Sequence, residues 1–194
     1  MTTIVFSSMI VAMAKKLLDL YKFPLLLAVF VSVAILALTV QKNPVQISLV
    51  VLGAIIGSFF LDLDYIIHAY FLEPASEFSK SVQGYIHHKD FKGLASYIYY
   101  HKNDLKEKTL NSAIFQLVLG GASILVVSST ASNFAKALVI SAFVNSMYRL
   151  AEQHLEFKNS DDWFWAFKNK PDKKGLVMYS AILLGVLILS FFLL

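Results

Sequence analysis

The chain has 194 residues, of which 57% are hydrophobic and 15% charged, with a formal net charge of +4. A typical soluble domain is about 25% charged, so this composition excludes an ordinary soluble globular protein. The absence of cysteine excludes a disulfide framework, a thiolate nucleophile and any Cys-based metal site.

Four stretches carry no charge at all: 23–40, 45–61, 110–135 and 175–194. A helix crosses the hydrocarbon with about 20 mainly apolar residues. The expected fold is therefore an all-α integral membrane protein. It is a bundle of about five transmembrane helices with cytoplasmic amphipathic helical inserts, and 1–194 form a single transmembrane domain.

In chain order, residues 3–14 are apolar but too short to span, and predict a re-entrant or interfacial helix running to about Tyr21. Lys15 and Lys16 follow this stretch rather than precede it, unlike a signal peptide, so the segment is expected to be retained. Pro24 fits the first turn of a span over 23–40, where a missing N–H costs little. Lys42-Asn43-Pro44 predicts a tight turn. The next span begins near Val45 and extends to Leu72, with Pro74 ending it. It contains Gly53 and Gly57 in a GxxxG pattern, which lets another helix approach closely.

Residues 73–109 form a polar insert holding two short amphipathic helices divided near Asp90. Phe78, Val82 and Tyr85 make one stripe, and Leu94, Tyr97, Ile98 and His101 the other. Such helices are expected on the membrane surface. Spans follow at about 111–130 and 134–151, joined by Ser128 to Asn133. A second insert, 152–174, carries Trp163, Phe164, Trp165 and Phe167, which resemble an aromatic interface belt. The last span is 175–194.

Basic residues orient this arrangement. One side holds Lys15, Lys16 and Lys22, the six lysines of 73–109, Arg149 and the five lysines of 152–174, against Lys42 and Lys136 on the other. The expected location is a cell (inner) membrane, with the N-terminus and both inserts cytoplasmic and the C-terminus outside. Membrane lipid is the expected partner. The positive charge is explained by orientation, so a nucleic acid partner is not expected.

Within this topology Asp62 and Asp64 end the second span after about 25 Å of helix, near the cytoplasmic boundary. Asn111 and Ser112 open the next span there, and Asn145, Arg149, Glu152 and His154 return to the same level. Ionisable groups at such depth usually face a bundle interior or a wet cavity. On a straight helix Asp62 and Asp64 point to nearly opposite sides, whereas Asp64 and His68 share a face. Both carboxylates reach one partner only if the helix unwinds or bends. His87 and His88 are expected to be solvated, and His101 to pack beside Tyr97.

These residues carry a resemblance. LGAIIGSFFLDLDYIIHAYF, then TLNSAIFQ opening a span, then FVNSMYRLAEQHLEF and DDWFWAF, together resemble the small membrane-bound metal-dependent hydrolases. This is an inner-membrane family whose bacterial members include LexA-regulated proteins. The resemblance covers about residues 45–170. It implies a divalent metal held by Asp and His side chains and a hydrolytic activity on a phosphoester or lipid-like substrate. Asp62 and Asp64, which carry over directly, would be the catalytic pair; His68, Glu152 and His154 lie nearby but out of register with the pattern, and are candidate metal ligands by position.

Several positions depart from the family pattern. Leu61 stands at its proline, Tyr65 at the histidine after the second aspartate, and Asn111 near the next histidine. Asn145 stands at a later histidine and Arg149 at that histidine's aspartate. Phe6 or Ser7 occupies the N-terminal position where a histidine is usual. A catalytic metal takes about three protein ligands and an open position, and a fixed guanidinium beside two carboxylates supplies the charge a metal would bring. The alternative is therefore a non-catalytic membrane scaffold or binding protein. In it, Asp62, Asp64, Arg149, Asn111 and Asn145 form an ion-pair cluster in place of the metal.

Overall fold

The computed structural model describes the backbone of residues 2–101, 105, 108–157 and 160–194, and the side chains of 21–101, 105, 108–155 and 160–194. All regular secondary structure among the described residues is helical, with no strand. In order they form α1 (Thr2–Thr39), α2 (Pro44–Phe60), α3 (Leu63–Ile67) and a π-helix (His68–Leu72). These are followed by α4 (Glu77–His87), α5 (Phe91–His101), α6 (Ala113–Ser128), α7 (Asn133–Phe157) and α8 (Lys173–Phe192). Among the described residues, two stretches are long and apolar enough to cross a membrane, Tyr21–Thr39 and Lys173–Phe192. A third qualifies if Pro44–Phe60 and Leu63–Leu72 count as one broken span. The chain divides into two compact units, one of Met1–Phe23 and Tyr65–Leu105, the other of Pro24–Asp64 and Lys106–Leu194.

The caps sit where local chemistry puts them. Asn43 accepts from the Val45 N–H at 2.9 Å and Pro44 opens α2. Ser112 caps α6 and Asp172 caps α8, accepting from Phe115 N–H and Gly175 N–H respectively. Such caps satisfy amides that have no partner within the helix.

In the larger unit α2 packs on α7. A methyl group on Gly53 would run into the carbonyl oxygen of Phe134, and one on Gly57 into that of Leu138. Each step of four residues on α2 is matched by four on α7, so the two helices run parallel. The same advance recurs in the polar contacts. Ser141 Oγ donates to the Ala54 carbonyl at 2.7 Å, Asn145 Nδ2 donates to the Ser58 carbonyl, and Arg149 meets Asp62. Ser141 has spent its one proton on Ala54, so Ser58 is the donor in the 2.9 Å Ser58–Ser141 contact. Around this seam Val31 and Ile35 of α1, Val50 and Ala54 of α2, and Ala137 and Ile140 of α7 form an apolar core. A β-carbon at Gly57 needs the backbones to part, and overpacking costs about 1–3 kcal/mol. Gly57→Ala is therefore expected to lower the unfolding temperature in detergent clearly. Gly121→Ala, which meets nothing within 4 Å, should leave it unchanged or raise it.

The smaller unit differs from what the amphipathic stripes predict. Helices α4 and α5 occupy the expected places, but their apolar faces are turned on each other. Phe78 and Val82 pack with Leu94 and Ile98, together with Tyr65 and Ala69. Those faces are therefore not available to lie on lipid. His101 stacks against Tyr97 with ring centroids 4.4 Å apart, as its spacing implies.

Two further expectations on element boundaries need correction. The first helix is not divided at Pro24: α1 runs through it to Thr39. The side chains of the expected re-entrant stretch, Phe6 and Ser7 included, lie outside the described residues. The second span is not one rod to Leu72, since helical structure stops at Leu61 and Asp62 and resumes in α3.

Candidate functional site: a carboxylate–amide–guanidinium cluster

The break at Leu61 and Asp62 decides the site. It removes the straight-helix geometry that would point Asp62 and Asp64 apart, and both carboxylates reach groups joined through Asn111. Asp64 is 2% exposed. Its Oδ1 accepts the Thr109 N–H at 3.0 Å, and its Oδ2 accepts both the Asn111 N–H and Asn111 Nδ2 at 2.9 Å. These donors precede the first turn of α6, where a chain entering a helix has amides without intrahelical acceptors. Asp64, in the first turn of α3, thus fastens the chain just beyond α2 to the start of α6.

Asn111 is the bridge. Its Nδ2 also donates to the Leu61 carbonyl at 3.0 Å, while its Oδ1 accepts Arg149 Nη1 at 3.1 Å. A carboxylate and a carbonyl on one side and a guanidinium on the other leave one sensible amide orientation. Arg149 Nη2 then donates to Asp62 Oδ1 at 2.6 Å, with side chains 14% and 21% exposed respectively. The two ends of the guanidinium serve two different acceptors, which suits its rigid fork and not a lysine ammonium.

Four of the expected residues, Asp62, Asp64, Asn111 and Arg149, are brought together. Asn145 is one turn away on α7 and bonds to Ser58 rather than to the cluster. The remaining expected ligands are elsewhere. His68 belongs to the smaller unit, with its Nε2 3.7 Å from Glu73 Oε2 and its ring edge-on to Phe78. Glu152 receives Tyr148 Oη at 3.4 Å. His154 Nδ1 lies 3.1 Å from Ser160 Oγ. Among the described residues no three His, Asp or Glu side chains are placed to hold one metal ion.

The chemistry of the donor set does not fit a divalent cation either. Both Asp64 oxygens face N–H hydrogens, the Asn111 oxygen faces a guanidinium, and Asp62 is bonded to a fixed positive charge. Three N–H bonds converge on Asp64, and a dication at Asp62 would meet the fixed charge of Arg149, which would repel it. No hydrolytic step through such a metal follows from these residues.

Compared with family models, curated proteins and solved structures, the chain matches none of them. The site therefore stands on its own geometry.

Polar groups that sequence reasoning passed over lie next to it. Gln116 of α6 is fully buried, and its Oε1 accepts Trp163 Nε1 at 3.1 Å and Tyr179 Oη at 2.9 Å. The Trp163 carbonyl accepts the Ala113 N–H at 2.9 Å. Trp163 and Phe164 are buried on Ala113 and Leu150, with Tyr179 packed alongside. These two rings are therefore internal packing, and only Trp165 and Phe167 are exposed as a belt would require. A lone Gln in an uncharged run of 26 residues is the signal that would have pointed to this hub.

Proposed function

We propose that this chain is a multi-pass membrane scaffold or binding protein. In this reading the Asp–Arg cluster is a structural clasp at the cytoplasmic ends of the helices, standing where the resembling hydrolases hold a metal. The observation that carries it is the 2.6 Å contact of Arg149 with Asp62, at the position where the hydrolase pattern asks for an acidic partner. Removing one charge from such a pair leaves the other stranded, so a guanidinium fixed in this way is kept for holding helices in register.

The topology proposed with it has five crossings: α1, α2 with its continuation, α6, α7 and α8. Helix α6 is short for a span, about 24 Å at 1.5 Å per residue. The parallel course of α2 and α7 supports it, because both then run toward the lysine-rich, cytoplasmic side. The location proposed is a cell (inner) membrane with the N-terminus on that side.

Metal analysis of detergent-purified protein tests the reading. Bound zinc, manganese and magnesium should stay far below one per chain, before and after incubation with each ion and desalting. One tightly held metal per chain, lost in Asp62→Ala, would restore the hydrolase reading and remove this one.

A further inference from the structure

Three polar atoms inside the larger unit have no hydrogen-bond partner among the described residues. They are Gln116 Nε2 on α6, and Asn145 Oδ1 and Ser146 Oγ on α7. All three side chains are fully buried. A buried group left unpaired carries the whole cost of its lost hydration, and helices that cross a bilayer offer it no bulk water.

The bonds these side chains do make fix which end is left over. Gln116 Oε1 accepts Trp163 Nε1, and an indole N–H can only donate, so the amide cannot be turned over. Asn145 Nδ2 donates to the Ser58 carbonyl, which can only accept, so Oδ1 is the end without a partner. Ser146 departs from the other helical serines. Ser32 and Ser128 each donate to the carbonyl four residues back, the usual outlet for a hydroxyl within a helix. Ser146 Oγ makes no such bond.

Packing sets the three groups at one level. A β-carbon on Gly120 would lie 3.3 Å from the Phe143 ring, and Ala113 and Leu150 share one apolar cluster. Helices α6 and α7 therefore run antiparallel. Gln116, between 113 and 120, falls opposite Ser146, between 143 and 150, and spacings of three and four keep each on the facing side. Asn145 precedes Ser146 and meets Ser58 of α2. At that level Phe60 of α2 also stacks on Phe115 of α6, with ring centroids 6.3 Å apart.

Polarity chooses the ligand. Gln116 offers two N–H donors, Asn145 an acceptor, and Ser146 either role. A cation would face the amide hydrogens, and an anion would face the Asn145 oxygen. A neutral group that both donates and accepts suits all three. Burial on every side limits that group to the smallest one. A buried water makes about three hydrogen bonds to groups of this kind.

We propose that a water molecule is bound at this level as a fixed part of the protein. It accepts from Gln116 Nε2, donates to Asn145 Oδ1 and takes Ser146 Oγ as its third partner. It would join two polar networks that are otherwise separate. One runs from Ser58 through Asn145, and the other from Gln116 to Trp163 and Tyr179. The helices α2, α7, α6 and α8 would then be linked in one chain of bonds, one turn inward from the Asp62–Arg149 contact. The inference goes beyond the scaffold reading and does not depend on it.

Two measurements on the full chain test it. A crystal structure grown in a lipidic phase, at a resolution that places waters, should show one within about 3.2 Å of Gln116 Nε2 and of Asn145 Oδ1 or Ser146 Oγ. A direct bond from Gln116 Nε2 to either α7 side chain, or no density between them, would overturn the proposal. Ser146→Ala in detergent supplies a test by sign. Ser128→Ala, whose hydroxyl bonds only to its own helix, gives the intrinsic effect of the same change. With water bound, Ser146→Ala loses a bridge and should unfold about 2–4 °C below Ser128→Ala. A dry site requires the reverse, because the substitution would then remove a stranded hydroxyl. Equal or higher unfolding temperature in Ser146→Ala therefore also overturns the bound water.

Discussion

Asp64→Ala is expected to destabilise the protein by about 4 kcal/mol, the largest effect of any single side chain in the cluster. The substitution removes one acceptor group but strands three N–H bonds, from Thr109, from Asn111 and from the Asn111 side chain. Each stranded buried donor costs about 1–3 kcal/mol. Water has little access to replace the carboxylate, because Asp64 is 2% exposed. Asp64→Asn keeps one accepting oxygen but turns an NH2 toward a donor, so it should lose about half as much. Unfolding in mixed micelles with increasing dodecyl sulfate gives the energies. Hydrogen exchange supplies the local readout: the amides of Thr109 and Asn111 should lose protection before the body of α6 does. A loss below 1 kcal/mol in Asp64→Ala, with those amides still protected, would mean the carboxylate does not fasten this turn.

Depth and the family resemblance together made the meeting of Asp62, Asp64, Asn111 and Arg149 legible. A span of known rise, read from its outer end, puts the aspartates at one level, and the next spans begin and end at that level. Local geometry was not legible. Helical periodicity assumes an unbroken helix, and nothing in Phe59-Phe60-Leu61-Asp62 announces the break beside which Asp64 bonds Asn111 and Asp62 bonds Arg149. Asn145 has the same residue type as Asn111 but lies one turn before Arg149 on α7, where it donates to the Ser58 carbonyl. The aromatic pair Trp163 and Phe164 shows a different limit. Buried and interfacial aromatics have the same composition, and only the partner of Trp163 Nε1, the buried Gln116, tells them apart. His154 is not part of the cluster, for a similar reason. Its partner Ser160 comes from the segment after the helix, and helical spacing cannot place that segment.

Arg149→Leu should cost about 3 kcal/mol, at the lower end of what breaking a buried ion pair costs, because both side chains retain some exposure. The loss has two parts. Asp62 is left as a half-shielded charge, and Asn111 Oδ1 loses its donor. Arg149→Lys keeps the charge but not the fork. One ammonium cannot serve Asp62 and Asn111 in the same directions, so about 1–2 kcal/mol is still lost. The informative variant is the double one. Asp62→Leu with Arg149→Leu removes both charges together, and replacing a whole buried pair by apolar groups is often neutral. The double variant should therefore be more stable than Arg149→Leu alone, and its loss should fall short of the sum of the two single losses by at least about 1.5 kcal/mol. Arg149→Asp should be the worst of the set, since it sets a third carboxylate beside Asp62 and Asp64 with no cation to offset them. If Arg149→Leu and Arg149→Asp unfold at the same denaturant concentration as the unaltered chain, the guanidinium is not what holds α7 to the end of α2. If the losses of the two single variants simply add in the double, the two charges act independently and the clasp reduces to the Asp64–Asn111 bonds alone.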